Sequence, residues 1–208
     1  MTRIKVCGIT NPEDAEAAAQ GGADALGFQF ARSPRRIDPE QAREIIAALG
    51  PYVTAVGVFV NTPPDEVREV LEFTGCTVAQ LHGDEEANYV DFLSPYAVVK
   101  VCRVGEDFRE AILTPYRQAR AILLDTYVEG LLGGTGRRFE TRLAAGLAAR
   151  GWRVIVAGGL DPANVAEVVR AVRPYGVDVS SGVESAPGRK DHAKMREFVA
   201  AVRAADAR

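Results

Sequence analysis

Cys7, Asp125 and a series of short glycine segments are the parts of this sequence with the chemistry of a catalyst. Cys7 ends a short apolar run, with Lys5 two positions earlier. In an extended strand residues two apart share a face, so thiol and ammonium are expected side by side, and a nearby cation lowers a thiol's pKa. The position also suits the ordinary fate of a cysteine, burial as a small apolar residue. Cys76 and Cys102 have no comparable neighbours and read as core. Asp125 directly follows Ala121-Ile122-Leu123-Leu124. A carboxylate there is costly to bury without a partner or a task; the other reading is a loop cap. Asp178 lies between Val177 and Val179, so its side chain faces the opposite way, with Ser180.

The glycine segments Gly133-Gly134-Thr135-Gly136, Gly158-Gly159 and Ser181-Gly182 each follow an apolar run. Backbone amides without side chains in the way can approach a phosphate closely, and a following helix start favours negative charge. Gly133-Gly134-Thr135-Gly136 also has the composition of a loop that closes over a ligand. Arg35, in Ser33-Pro34-Arg35-Arg36, offers a guanidinium that pairs with carboxylates, or simply a solvated loop. Gln80 and His82 share a face at the end of another run; His82 orients a ligand or satisfies a loop.

What must position these groups is a repeated unit. Short, β-branched runs at 4–9, 25–30, 55–60, 76–81, 97–102, 121–124, 153–157 and 177–180 read as strands. Between and after them the pattern turns helical, with starts at Asn11-Pro12, Asp38-Pro39, Thr62-Pro63-Pro64, Asp84, Glu106, Phe139, Asp161-Pro162 and Asp191. Strand–helix alternation argues for parallel pairing. Eight units in 208 residues fit an α/β fold, a single (β/α)8 barrel spanning 1–208 as one domain. An open doubly wound sheet usually has fewer strands. In such barrels phosphate binds after strands seven and eight, the places of Gly158, Gly159, Ser181 and Gly182.

Composition excludes several classes. A net charge of −3 gives no electrostatic reason for a nucleic-acid partner. The apolar runs are too short for a membrane span, and no signal peptide is visible. Three spaced cysteines and two histidines give neither a disulfide framework nor a metal cluster, and fit a reducing cytoplasm.

The ordered set Lys5-Val6-Cys7-Gly8-Ile9-Thr10, Val56-Gly57-Val58-Phe59-Val60-Asn61, Gln80-Leu81-His82-Gly83, Leu123-Leu124-Asp125-Thr126, Gly133-Gly134-Thr135-Gly136 and Val179-Ser180-Ser181-Gly182-Val183-Glu184 resembles the phosphoribosylanthranilate isomerases of tryptophan biosynthesis, and Pro187-Gly188-Arg189-Lys190-Asp191 extends the likeness. The resemblance implies a cofactor-free Amadori rearrangement of N-(5-phosphoribosyl)anthranilate to 1-(2-carboxyphenylamino)-1-deoxyribulose 5-phosphate. It implies Asp125 as general acid and Cys7 as general base. It further implies Arg35 for the anthranilate carboxylate, His82 and Asp178 lining the cleft, and amides near Gly134, Gly158, Gly159, Ser181 and Gly182 for the phosphate. A homodimer is compatible with it. Phe139-Glu140-Thr141 departs from the family's common Phe-Asp-Trp.

Two rival readings differ in kind. A histidine-pathway aldose–ketose isomerase on the same barrel would use aspartates ending strands one and five; here those strands end in Cys7 and Val101-Cys102-Arg103. A non-catalytic phosphate-binding barrel would need neither Cys7 nor Asp125.

Overall fold

The eight expected strands form, pair in chain order, and close on themselves. A computed structural model describes residues 1–105, 108–125 and 135–207. Its strands β1 (Arg3–Cys7), β2 (Ala25–Gln29), β3 (Thr54–Phe59), β4 (Val78–Leu81), β5 (Ala97–Arg103), β6 (Ala121–Asp125), β7 (Val154–Ala157) and β8 (Gly176–Val179) make one closed barrel. Every neighbouring pair is parallel, including β1 with β8. With helices outside the strands, this is a (β/α)8 barrel.

Period-two alternation sorts side chains between two cores. Val99, Val101, Ala121, Leu123 and Ala157 fill the barrel interior. Leu26, Phe28, Leu81, Ile122 and Leu124 point outward, into the larger core beneath the helices. Parallel pairing brings all strand C-terminal ends to one rim. Cys7, Arg103 and Asp125 are the last residues of their strands, and His82, Gly158 and Ser180 each follow one directly.

Helix starts follow local chemistry. In α1 (Pro12–Gln20) the Asn11 side chain accepts a hydrogen bond from the Asp14 amide at 2.8 Å, and Pro12 occupies the first turn. Prolines also open α2 (Pro39–Ala48) and α3 (Pro64–Thr74), and α3 ends on Gly75 at φ +82°. The later helices are α4 (Tyr89–Phe92), α5 (Thr135–Ala149), α6 (Val165–Val172) and α7 (His192–Asp206).

Two connections depart from the expected helices. The segment expected to be helical from Asp84 holds only the four-residue α4. Its start is diverted because the Glu85 carboxylate turns inward to accept from the Asn61 and Gly83 amides and from Lys100. After β5 there is a 3-10 segment, Glu110–Tyr116, rather than an α-helix; Pro115 lies within it and supplies no N–H. A small antiparallel pair after β8, β9 (Glu184–Ala186) with β10 (Arg189–Lys190), is absent from the sequence reading.

Candidate active site

The cysteine end of the rim is set by strand register. Lys5 is the direct neighbour of Asp178 across β1 and β8, and Cys7 is the neighbour of Gly27 across β1 and β2. Lys5 Nζ donates to both Asp178 oxygens, at 2.9 and 3.0 Å, with both side chains buried. Gly27 makes room: a Cβ there would sit 2.8 Å from Cys7 Sγ and 2.9 Å from Lys5 Nζ. Thiol and ammonium therefore crowd onto one point, as the shared strand face predicts.

Charge and burial compete at Cys7. Burial pushes the half-buried thiol up, Lys5 pulls it down, and the Asp178 carboxylate pushes it up again; the net result lies above the ordinary value of 9.0. The expected lowering by Lys5 is present but outweighed. Burial also opposes the Lys5 ammonium, yet Asp178 and the sulfur together raise its pKa. Asp178, expected to line the cleft, is 7% exposed with both carboxylate oxygens bonded to Lys5.

Asp125 occupies the other side of the rim, in register with Arg103 on β5 and Ala157 on β7. Its carboxylate lies 3.5 Å from His82 Nε2, and His82 Nδ1 lies 3.4 Å from Gln80 Nε2. The His82 amide donates to the Phe59 carbonyl, which fixes the backbone at this end of β4. A cavity of about 330 Å³ opens beside His82, walled by Phe108 and Tyr116 and bordered by Arg103. Sequence reading passes over Arg103. Its parity with Val99 and Val101 is the signal that would have turned it inward, toward the rim.

Beneath the cavity lies a buried pair. Lys100 Nζ donates to Glu85 at 2.8 Å and to the Gly83 carbonyl at 2.6 Å, and the Tyr116 hydroxyl donates to the Glu85 carbonyl at 2.7 Å. Burial works to raise the Glu85 pKa, but Lys100 and the Asn61 amide hold it below the usual glutamate value.

Arg35 folds over Gly8, whose φ of +78° and missing side chain admit it; a Cβ there would lie 2.6 Å from Arg35 Cδ. Its guanidinium grips Glu184 with two bonds, 2.8 and 2.7 Å. Glu184 also accepts from Lys190 at 2.9 Å, and Lys190 donates on to the carbonyls of Cys7 and Ser180 at 2.6 and 3.3 Å. This network ties the loops after β1, β2 and β8 together. Arg35 thus reaches the site with part of its fork already engaged, and the β9–β10 pair that supplies Glu184 and Lys190 is what sequence reading lacked.

On the β7 and β8 ends, Gly158 and Gly159 adopt φ of +89° and +63°. Ser181 and Gly182 begin a short 3-10 turn, where the first N–H groups have no partner within the turn. A Cβ on Gly182 would collide with the Leu160 carbonyl, so the two loops touch backbone to backbone. Gly134 and the rest of the loop 126–134 lie outside the described residues. Among the described residues there is no cluster of metal-ligand type and no helix long and apolar enough to cross a membrane.

The chain matches the N-(5'-phosphoribosyl)anthranilate (PRA) isomerase family over residues 4–201. The N-(5'-phosphoribosyl)anthranilate isomerase of Trichlorobacter lovleyi is 50% identical over 200 residues, covering 96% of this chain and 97% of its own. The crystal structure of phosphoribosyl anthranilate isomerase from Thermotoga maritima is 39% identical, with a TM-score of 0.90 over 98% of this chain and 100% of that one; the Thermotoga maritima enzyme is described as dimeric. A further solved isomerase, in complex with reduced 1-(o-carboxyphenylamino)-1-deoxyribulose 5-phosphate, is 37% identical with a TM-score of 0.88 and the same coverage. The chain belongs to the N-(5'-phosphoribosyl)anthranilate isomerase family, the aldose–ketose isomerases of tryptophan biosynthesis.

Proposed function

We propose that in the Amadori rearrangement of N-(5-phosphoribosyl)anthranilate Asp125 is the general acid and Cys7 the general base, within one catalytic domain of residues 1–208. Asp125 protonates the ribose ring oxygen. The C1–O bond breaks, and the nitrogen lone pair forms a protonated Schiff base. Cys7, as thiolate, takes the proton from C2. The released electron pair makes the C1=C2 bond of an enolamine and neutralises the iminium. Proton return at C1, with loss of the C2 hydroxyl proton as the C2=O bond forms, gives the ketone. The reading needs only an acid and a base, with no cofactor.

The observation that carries it is the facing of a thiol and a carboxylate across one barrel rim, Cys7 ending β1 and Asp125 ending β6. Acid–base groups held on rigid strand ends contribute about 10²–10⁴-fold each. The backbone at Gly158, Gly159, Ser181 and Gly182, with Gly134, holds the phosphate. Arg35 receives the anthranilate carboxylate, sharing its guanidinium with Glu184. His82 lies beside Asp125, where it orients the substrate and the acid. Asp178 acts through Lys5.

The substrate is a small phosphosugar, as the bound analogue of the solved relative supports. A homodimer is supported by the dimeric Thermotoga maritima enzyme. Three free cysteines fit a cytoplasmic location.

The test is the loss of anthranilate-type fluorescence when the protein meets freshly made substrate. Native protein is expected to turn over rapidly. Asp125→Asn is expected to lose about 10²–10⁴-fold in kcat while still binding product. An Asp125→Asn enzyme at native speed would remove Asp125 from the mechanism.

A further inference from the structure

We propose that Lys5 is a positioning residue for the base: held charged by Asp178, it stabilises Cys7 as thiolate at the moment of proton abstraction. The inference rests on the reading of Cys7 as general base.

The geometry has three parts. Strand register makes Lys5 and Asp178 direct neighbours, and both carboxylate oxygens accept from Nζ. The absence of a side chain at Gly27 lets Nζ and Cys7 Sγ converge on one point. Both members of the ion pair are almost fully buried, at 8% and 7% side-chain exposure, whereas Cys7 is half-buried at the rim. A buried ammonium with a single carboxylate partner is an expensive structural device, and replacing such a pair by apolar residues is often neutral for stability. Its placement against the half-buried thiol gives it a second use.

Four charged groups face the sulfur. Lys5 approaches from β1 itself, Asp178 from β8, Lys190 from β10 and Arg35 from the loop after β2. Lys190 is committed to Glu184 and to two carbonyls, and Arg35 to Glu184. Lys5 is shared between Asp178, which accepts through both carboxylate oxygens, and the Cys7 sulfur. When Cys7 takes the C2 proton, sulfur becomes neutral, and Lys5 keeps its proton bonded to Asp178 throughout. No proton passes through Lys5.

The experiment reads the pH dependence of Cys7 alkylation by iodoacetamide, by mass spectrometry of the Cys7 peptide, beside the pH profile of kcat/KM. In Lys5→Met the alkylation midpoint is expected to rise by about one pH unit or more, kcat/KM falling in parallel with its rising limb displaced to higher pH. Lys5→Arg is expected to recover part of both. Lys5→Met leaves Asp178 buried without a partner and so risks unfolding. Gly27→Ala keeps every charge and only wedges a methyl group between Sγ and Nζ; it is expected to move the midpoint the same way. An unmoved midpoint in Gly27→Ala or in folded Lys5→Met overturns the inference. Cys7→Ser separates the two readings: full turnover there would remove Cys7 as base, whereas lost turnover with unmoved midpoints removes only Lys5.

Discussion

The β8–β1–β2 side of the rim and the β4–β5–β6 side differ in how their charges are held. On the cysteine side, Glu184 accepts from both Arg35 and Lys190, and Lys190 continues to two carbonyls. Asp14 accepts from the Lys190 amide and from His192, which ties α1 to the start of α7. The strands there are joined by full helices. On the aspartate side, α4 has four residues and the next connection is 3-10. Among the described residues one buried ion pair, Lys100–Glu85, holds the loop after β4, and a cavity opens beside His82. Among the described residues, the base sits in a redundant lattice of charges, whereas the acid's side has a cavity and one buried ion pair. A base that must be thiolate needs a fixed field, whereas an acid that meets a ring oxygen needs access.

The largest expected effect is catalytic, and it tests whether both sides serve one reaction. Cys7→Ala is expected to lose about 10²–10⁴-fold in kcat, as Asp125→Asn does, with product affinity retained in both. The pH profiles separate the sides. Because burial holds the Cys7 thiol above 9.0, native kcat/KM is expected to go on rising as pH approaches that value. A profile flat from neutral pH upward would show that the base is already ionised in the free enzyme, against the buried-thiol picture.

Next in size is the contrast in redundancy. Lys100→Met leaves the Glu85 carboxylate, 1% exposed, with backbone donors but no counter-charge, and is expected to cost about 3–5 kcal/mol. Lys190→Met leaves Glu184 still gripped by Arg35, and is expected to cost about 1–3 kcal/mol, from the lost bonds to Glu184 and to the Cys7 and Ser180 carbonyls. Urea unfolding of the two variants measures the difference. Equal losses would mean that the cysteine-side network is not redundant.

The same contrast explains what the sequence made legible. Eight strands and their order follow from β-branched runs punctuated by proline and glycine, because each run has only one way to hide both faces. Cys7, Asp125, Lys5 and His82 were readable from their position relative to those runs. The Asp178–Lys5 contact was not, since it depends on β8 closing against β1, a pairing between residues far apart in sequence. Nor was the capture of Arg35 by Glu184, which needs the β9–β10 hairpin, two strands too short to leave a periodic pattern. The missing helix after Asp84 has the same origin: Glu85 reads locally as a helix-start acid, and only the buried Lys100 draws it inward.

Acid is expected to act on both sides through their glutamates. Burial opposes ionisation at Glu85 and at Glu184, but Lys100 with the Asn61 amide, and Arg35 with Lys190, bring both pKa values below the usual 4.5. A carboxylate held low in the fold stabilises it at pH above its unfolded value, and loses that contribution as pH falls through the folded one. Stability is therefore expected to hold down to about pH 5 and to decline below it. Glu184→Gln should flatten part of that decline. A urea midpoint independent of pH down to about pH 3 would refute the linkage.

The smallest effect concerns how the acid's side is tied at its surface. Glu110, at the start of the 3-10 segment, pairs with Arg150 just beyond α5 at 2.7 and 3.0 Å, but the two side chains are 38% and 52% exposed. Such pairs contribute about 0–1 kcal/mol, because solvent screens the attraction and two long side chains must be ordered to make it. Glu110→Gln is expected to lower stability within that range at low salt and to match the native protein at about 1 M salt, where the Debye length is about 3 Å. The cost of Lys100→Met, whose partner is out of solvent, should survive the same salt. If salt abolished both losses, the inner tie would be as solvated as the outer one, and the distinction between a buried anchor and a surface tether on the acid's side would fail.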